Sequence, residues 1–219
     1  MLPLTGVGDY VKDLKETIET MEKPPILVGH SMGGVVVQWY LQDHTVPGAV
    51  LLSAGPPYGM LVSAMMTFLS SPVLSTQISL IPILQLFGSN PIFMDMTRKT
   101  LFSDRMPEEE ALNFLRRTQF ESFRAIFDLS WPHRPKNQGT PLLVIGSEED
   151  YFIRPSMVKA TAKAYKTSAE ILPHMGHGMM VEAGWQEVAD RIIKWIKVTT
   201  YLPPTPFLEK EKKTAVAMR

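Results

Sequence analysis

A short apolar run, Pro25-Ile26-Leu27-Val28, leads directly into Gly29-His30-Ser31-Met32-Gly33-Gly34, and Val35-Val36-Val37-Gln38-Trp39-Tyr40-Leu41 follows. Few backbone paths accommodate this order. The first run reads as a buried strand and the last as a helix. A strand that becomes a helix within a residue or two needs a sharp turn with a strained backbone at its apex. Side chains two residues to either side of the apex would collide, so glycine is expected to be required at both Gly29 and Gly33. The turn lifts the Ser31 hydroxyl clear of the sheet and aims the N-terminus of the next helix at it. Ser31 is therefore a candidate nucleophile. The plainer alternative is a glycine-rich turn in which Ser31 caps the helix.

The rest of the chain extends this unit. Asp9 is placed to cap a first helix, on which Tyr10, Val11, Leu14, Ile18 and Met21 share one face. Ile26-Leu27-Val28 shows no polar alternation, as expected of a parallel strand covered on both faces. Ala49-Val50-Leu51-Leu52 is a second buried strand, stopped by Gly55-Pro56-Pro57. From Tyr58 to about residue 137 the chain is helical in tendency, rich in Met, Leu, Ile and Phe, and broken by prolines. Pro107-Glu108-Glu109-Glu110 starts a helix there, and Phe120, Phe123 and Phe127 form a stripe at helical spacing. Strands follow at Pro141–Ile145 and, shorter and at an edge, at Ala169–Leu172. A helix is expected over Arg154–Lys166, and a strong amphipathic one over Glu182–Val198. Residues 199–219, with Pro203-Pro204 and a run of charges, read as a flexible tail. The expected architecture is one α/β domain, residues 1–198, with four parallel strands flanked by helices.

A serine nucleophile needs a base, and the base needs an orienting carboxylate. The third strand runs into Gly146-Ser147-Glu148-Glu149-Asp150 and the fourth into Pro173-His174-Met175-Gly176-His177-Gly178. If the strands are parallel, both loops and Ser31 meet at the carboxyl edge of the sheet. Glu148, Glu149 and Asp150 compete for the acid, and His174 and His177 for the base. His44 and His133 fall in loops away from a strand end, and His30, inside the turn, is expected to point away from the base.

Gly-His-Ser-Met-Gly-Gly after a hydrophobic strand resembles the α/β-hydrolase superfamily, among its lipase- and esterase-like members. The resemblance runs from about Asp9 to Ile196 and covers the later part of that fold. It implies a partial α/β-hydrolase fold with a helical cap at about 58–137. It also implies the order Ser, acid, His along the chain. Ser31, Asp150 and His177 occupy the family's positions, the histidine preceded by Gly176. The implied chemistry is two-step acyl transfer on a carboxylic ester, with the Met32 backbone N–H as one oxyanion donor. The family's second donor follows an early strand that has no counterpart here. Serine at the elbow argues against the family's haloalkane dehalogenases and epoxide hydrolases, which carry aspartate there. The resemblance implies neither a metal nor an organic cofactor.

Composition bounds the partners. Lys plus Arg and Asp plus Glu number 22 each, which gives no electrostatic case for nucleic acid or an anionic membrane surface. There is no cysteine, hence no disulfide and no cysteine-ligated metal, and no signal peptide or spanning segment is visible. A cytoplasmic location is the expectation. Met60, Phe120 and Phe123 are candidate contacts for a hydrophobic, lipid-like ester, and Met65, Met66, Met94 and Met96 add to an apolar cap. The cap's own core is the competing use for each of them. Lacking the family's early strands, the Ile26–Val28 strand is expected to leave one edge unpaired and the protein to self-associate. The competing functional reading is a catalytically incomplete hydrolase that binds or assembles without turnover. A helical, membrane-associated binding module over 58–100 is a third, opposed by Ser70-Ser71-Pro72 and Gln77.

Overall fold

The computed structural model describes residues 4–73, 75–76, 91–119 and 121–201. In chain order these form α1 (Val7–Glu19), β1 (Leu27–His30), α2 (Met32–Tyr40), β2 (Ala49–Leu52) and α3 (Met60–Ser70). Then come α4 (Pro91–Leu101), α5 (Glu108–Leu115), α6 (Phe123–Ser130), β3 (Leu142–Ser147), α7 (Pro155–Ala164), β4 (Ala169–Leu172) and α8 (Trp185–Tyr201). The strands make one sheet in the order β1-β2-β3-β4. Every pairing is parallel, with Leu27 opposite Ala49, Ala49 opposite Leu142 and Val144 opposite Ala169. All four strands therefore deliver their C-terminal loops to one edge.

The two faces of the sheet are filled by alternate residues of the same strands. Leu27, Ala49, Leu51 and Val144 pack with Val37, Tyr40, Met157, Val158 and Ala162 of α2 and α7. Val50, Leu52, Leu143 and Ile145 pack with Leu172, Met175, Met179 and Val188 on the other face, where α8 lies. The unbroken apolar runs of β2 and β3 reflect this double coverage. β1 departs from it. It lies at a sheet edge and Val28 is 52% exposed, so only one of its faces is covered as expected.

Boundaries shift where caps differ from the expectation. α1 starts at Val7, capped by Gly6, and Asp9 sits in its first turn, where its carboxylate accepts the Gly6 N–H at 2.8 Å. α6 begins at Phe123 with Ser122 as its cap, and Phe120 lies outside the described residues. α6 packs back on the core: the Asp128 carboxylate accepts the Val7 N–H at 3.0 Å, and Ala125 joins Val7, Val35 and Val36 in one cluster. Met94, Phe102, Met106, Ala111 and Leu115 form a separate core under α4 and α5, which is the structural use of Met94. Met65 and Met66 are exposed on α3, and Met96 is half-buried. α8 begins at Trp185, three residues later than the periodicity suggests, which leaves Glu182 in the preceding turn. It runs to Tyr201, so the expected tail from 199 starts as helix, and residues 202–219 lie outside the described set. Among the described residues no helix is long and apolar enough to cross a membrane.

Candidate active site

β1 ends at His30 and α2 begins at Met32, so Ser31 alone makes the turn. Its φ of 51° and ψ of −118° are a conformation that costs a non-glycine residue about 1–3 kcal/mol. Backbone bonds hold it there. The Ser31 N–H donates to the Leu52 carbonyl at 3.0 Å, and the Ser31 carbonyl accepts from Gly34 at 3.1 Å and Gly55 at 3.4 Å. The hydroxyl makes no capping bond to α2, which leaves the helix-cap explanation of this serine without support. A Cβ at Gly29 would lie 2.5 Å from the Gly33 carbonyl oxygen and 2.8 Å from Gly34 Cα, so glycine is required there. At Gly33 a Cβ meets nothing within 4 Å. The second obligatory glycine is Gly34, whose Cβ would run into the Ala54 side chain. The expected requirement at Gly33 is thus corrected: the crowding falls one residue further on and comes from the loop after β2.

At the start of α2 the Met32 N–H has no protein acceptor among the described residues, as the first turn of a helix dictates. It is a free donor at the positive end of the helix dipole.

The loop after β3 brings Asp150 to His177. The Nδ1–H of His177 donates to Asp150 Oδ2 at 2.8 Å, with both side chains at least nine-tenths buried. The other carboxylate oxygen, Oδ1, accepts the N–H groups of Phe152 at 2.9 Å and Ile153 at 2.7 Å. A carboxylate with these partners is fixed in direction. It fixes the proton of His177 on Nδ1 and leaves the Nε2 lone pair free to take another. Glu149 instead faces His174 at 3.6 Å on the surface, and Glu148 is exposed. His44 stacks on Tyr40, and His133 donates from Nε2 to Gln38 Oε1 at 3.2 Å; neither touches Asp150 or His177.

His30 does not point away. Its ring lies 4.7 Å from that of His177, and its Nε2–H donates to the His177 carbonyl at 2.9 Å. Burial, reinforced by the neighbouring imidazole, pushes His30 down to about 4, so it is neutral with its proton on Nε2. Three further groups fix the His177 loop that spacing alone did not reveal. The Ser147 hydroxyl donates to the Gly176 carbonyl at 2.6 Å. The Gly178 N–H donates to the Leu101 carbonyl at 2.8 Å. The Glu182 carboxylate accepts the Gly176 N–H at 2.9 Å. An acid just before a helix reads in sequence as a solvated dipole partner, which concealed Glu182.

Of the candidate substrate contacts, Met60 packs against the sheet core and Phe123 is 56% exposed on α6. Between α3 and α7 lies a cleft of about 440 Å³ whose walls include Tyr58, Val62, Met66 and Met157, with Arg154 at its polar side. Neither Met60 nor Phe123 lines it. Among the described residues no three His, Asp or Glu side chains are grouped as metal ligands would be.

The fold is similar to that of several solved structures. A bromoperoxidase from Bacillus anthracis superimposes with a TM-score of 0.68 at 19% identity, over 90% of this chain and 77% of that one. An esterase from Exiguobacterium antarcticum gives 0.67 at 17% identity, over 89% and 76%. A monoacylglycerol lipase from Paleococcus ferrophilus gives 0.58 at 17% identity, over 90% and 77%. At these identities the likeness is one of fold. No curated protein matches the chain at a significant level. The sequence model of the alpha/beta hydrolase family matches residues 2–191. With that match spanning nearly all of the sheet, the elbow and both loops, the chain belongs to the alpha/beta hydrolase family.

Proposed function

We propose that the protein is a serine hydrolase that cleaves carboxylic esters of hydrophobic, lipid-like character. Ser31 is the nucleophile, His177 the general base and Asp150 the carboxylate that orients it. The observation that carries the reading is the buried 2.8 Å bond between His177 Nδ1 and Asp150 Oδ2. It leaves Nε2 as the one basic atom of that ring. His177 packs on His30, the residue before the strained Ser31. In the reaction His177 Nε2 takes the Ser31 proton as Oγ bonds to the ester carbonyl carbon. The resulting imidazolium is stabilised by Asp150 and returns the proton to the departing alcohol as the C–O bond breaks. Water then attacks the acyl-enzyme by the same route, releasing the acid and restoring Ser31. The Met32 N–H stabilises the oxyanion, a contribution on the order of 3 kcal/mol. The cleft between α3 and α7, with Tyr58, Val62, Met66 and Met157, supplies an apolar surface suited to an acyl chain.

A second reading, a hydrolase fold that binds without turnover, is favoured by a different observation. Among the described residues Ser31 Oγ makes no hydrogen bond to His177. In an unliganded site such a bond is often loose and tightens with substrate. Labelling with a fluorophosphonate probe separates the two. Covalent labelling that Ser31→Ala abolishes is the expected result. A folded protein that takes up no probe would leave the non-catalytic reading in place.

A further inference from the structure

Glu182 is 1% exposed, yet among the described residues it forms no ion pair. An uncompensated carboxylate in such a place is costly unless several donors satisfy it. Three do. Oε1 accepts the Ser103 N–H at 2.7 Å and the Gly176 N–H at 2.9 Å, and Oε2 accepts the Ser103 hydroxyl at 2.6 Å. Ser103 lies two residues past the end of α4, and Gly176 immediately precedes His177. The same corner is sewn a second time, because the Gly178 N–H satisfies the Leu101 carbonyl at the end of α4. Contact is close enough to exclude side chains. A Cβ on Gly176 would sit 2.7 Å from the Leu101 oxygen and 2.8 Å from Glu182 Oε1, and one on Gly178 2.9 Å from the Phe102 ring.

We infer that Glu182 is a positioning residue that locks the His177 loop to the corner at the end of α4, so that the base is set in place by the cap segment as well as by the sheet. The inference rests on the reading of His177 as the base. Its physical content is a division of labour. Asp150 fixes the orientation of the imidazole through Nδ1, whereas Glu182 fixes the backbone on which it is mounted. Displacing α4 would drag Gly176 and Gly178 with it and move Nε2 relative to Ser31. A cap movement that admits substrate would therefore also disengage the base.

The test uses the whole chain and the variants Glu182→Ala, Glu182→Gln and Ser103→Ala. Hydrolysis of p-nitrophenyl butyrate gives the kinetics, and proton NMR follows the downfield Nδ1 proton of the His177–Asp150 pair. Glu182→Ala is expected to lower kcat on the order of 100-fold, as a misplacement of about an ångström does, with KM little changed. The imidazole signal should be lost to solvent exchange while far-UV circular dichroism is retained. Glu182→Gln keeps an acceptor for both N–H groups and should recover most of kcat and the signal. Glu182→Ala protein that keeps wild-type kcat and the signal overturns the inference, and so does lost kcat with the signal intact. If Glu182→Ala does not fold, Ser103→Ala, which removes only the hydroxyl donor, decides: a smaller loss of both supports the inference, and no change in either overturns it. Wild-type protein that neither cleaves the ester nor takes up a fluorophosphonate would sink the hydrolase reading alone. The signal's presence in wild type and absence in Glu182→Ala would then still support the positioning role, and its persistence would overturn it.

Discussion

The Nε2–H of His30 donates to the carbonyl of His177 across 2.9 Å, so the residue before the strained serine holds the backbone of the proposed base. A carbonyl can only accept, which fixes the tautomer of His30. His30→Ala is expected to lower kcat about tenfold, the ~1.4 kcal/mol that one neutral hydrogen bond supplies, without unfolding the protein. His30→Gln, which retains a donor at similar reach, should recover part of it. Ester hydrolysis by the two variants, beside their melting curves, checks this. Equal losses in both would show that the ring, and not the donated bond, matters.

Acid should destabilise the fold through two buried histidines. His30 and His133 are both pushed by burial to about 4 from the ordinary 6.5. Between those values the unfolded chain binds protons at both sites that the folded chain does not. Stability is therefore complete above pH 6.5 and falls as pH drops toward 4. Melting temperatures measured from pH 7 to pH 4.5 should decline, and His133→Asn should flatten the decline relative to wild type. A variant curve parallel to wild type would remove His133 from the account.

Asp150→Asn keeps the size of the side chain but presents an amide where the carboxylate oxygen accepts from His177 Nδ1 at 2.8 Å. The ring is then free to adopt the tautomer with its proton on Nε2, which cannot accept from Ser31. A loss of kcat on the order of 10⁴-fold is expected by analogy with serine-protease triads. Glu148→Gln and Glu149→Gln, placed outside the pair, should leave kcat within a few-fold of wild type, and steady-state kinetics on all three distinguishes them.

The sheet was legible in the sequence where burial is two-sided. Ala49–Leu52 is the strand its apolar run predicted, because a parallel strand covered on both faces carries its burial in its composition, and the expected edge strand Ala169–Leu172 forms with only Leu172 of it buried. The meeting of Asp150 with His177 and the sharp turn at Ser31 were legible, because strand ends and chain order constrain them. Glu182 and His30 were not. Their importance comes from contacts with residues distant in sequence: Ser103 lies 79 positions from Glu182, and His177 lies 147 from His30. Local patterning carries no trace of such pairs. The crowding at Gly34 was hidden for the same reason, because Ala54 belongs to the loop after the next strand.

That crowding gives a clean contrast between adjacent glycines. Gly33→Ala adds a methyl into open space on a helix, where alanine is favoured over glycine by up to about 1 kcal/mol. Gly34→Ala forces α2 away from Ala54 and should cost about 1–3 kcal/mol, with a loss of activity as Ser31 shifts. Urea denaturation of the two proteins checks the sign. A stabilised Gly34→Ala would mean that α2 and the β2 loop separate easily.

Among the described residues β1 is paired on one side only, and Val28 projects from it with 52% of its surface exposed. A parallel strand at an edge offers unpaired N–H and C=O groups to any other strand, and an apolar side chain there adds to the attraction. The protein is expected to self-associate through this edge in a concentration-dependent way. Val28→Lys places a charge at the edge without touching the covered face of β1, where Leu27 is buried. It should shift the protein toward monomer in sedimentation velocity while leaving fluorophosphonate labelling of Ser31 unchanged. Wild-type protein that sediments as a single monomer at every concentration would remove the edge as an assembly site. Association that survives Val28→Lys would place the contact elsewhere, the exposed Leu61, Met65 and Phe68 of α3 being the next surface to charge.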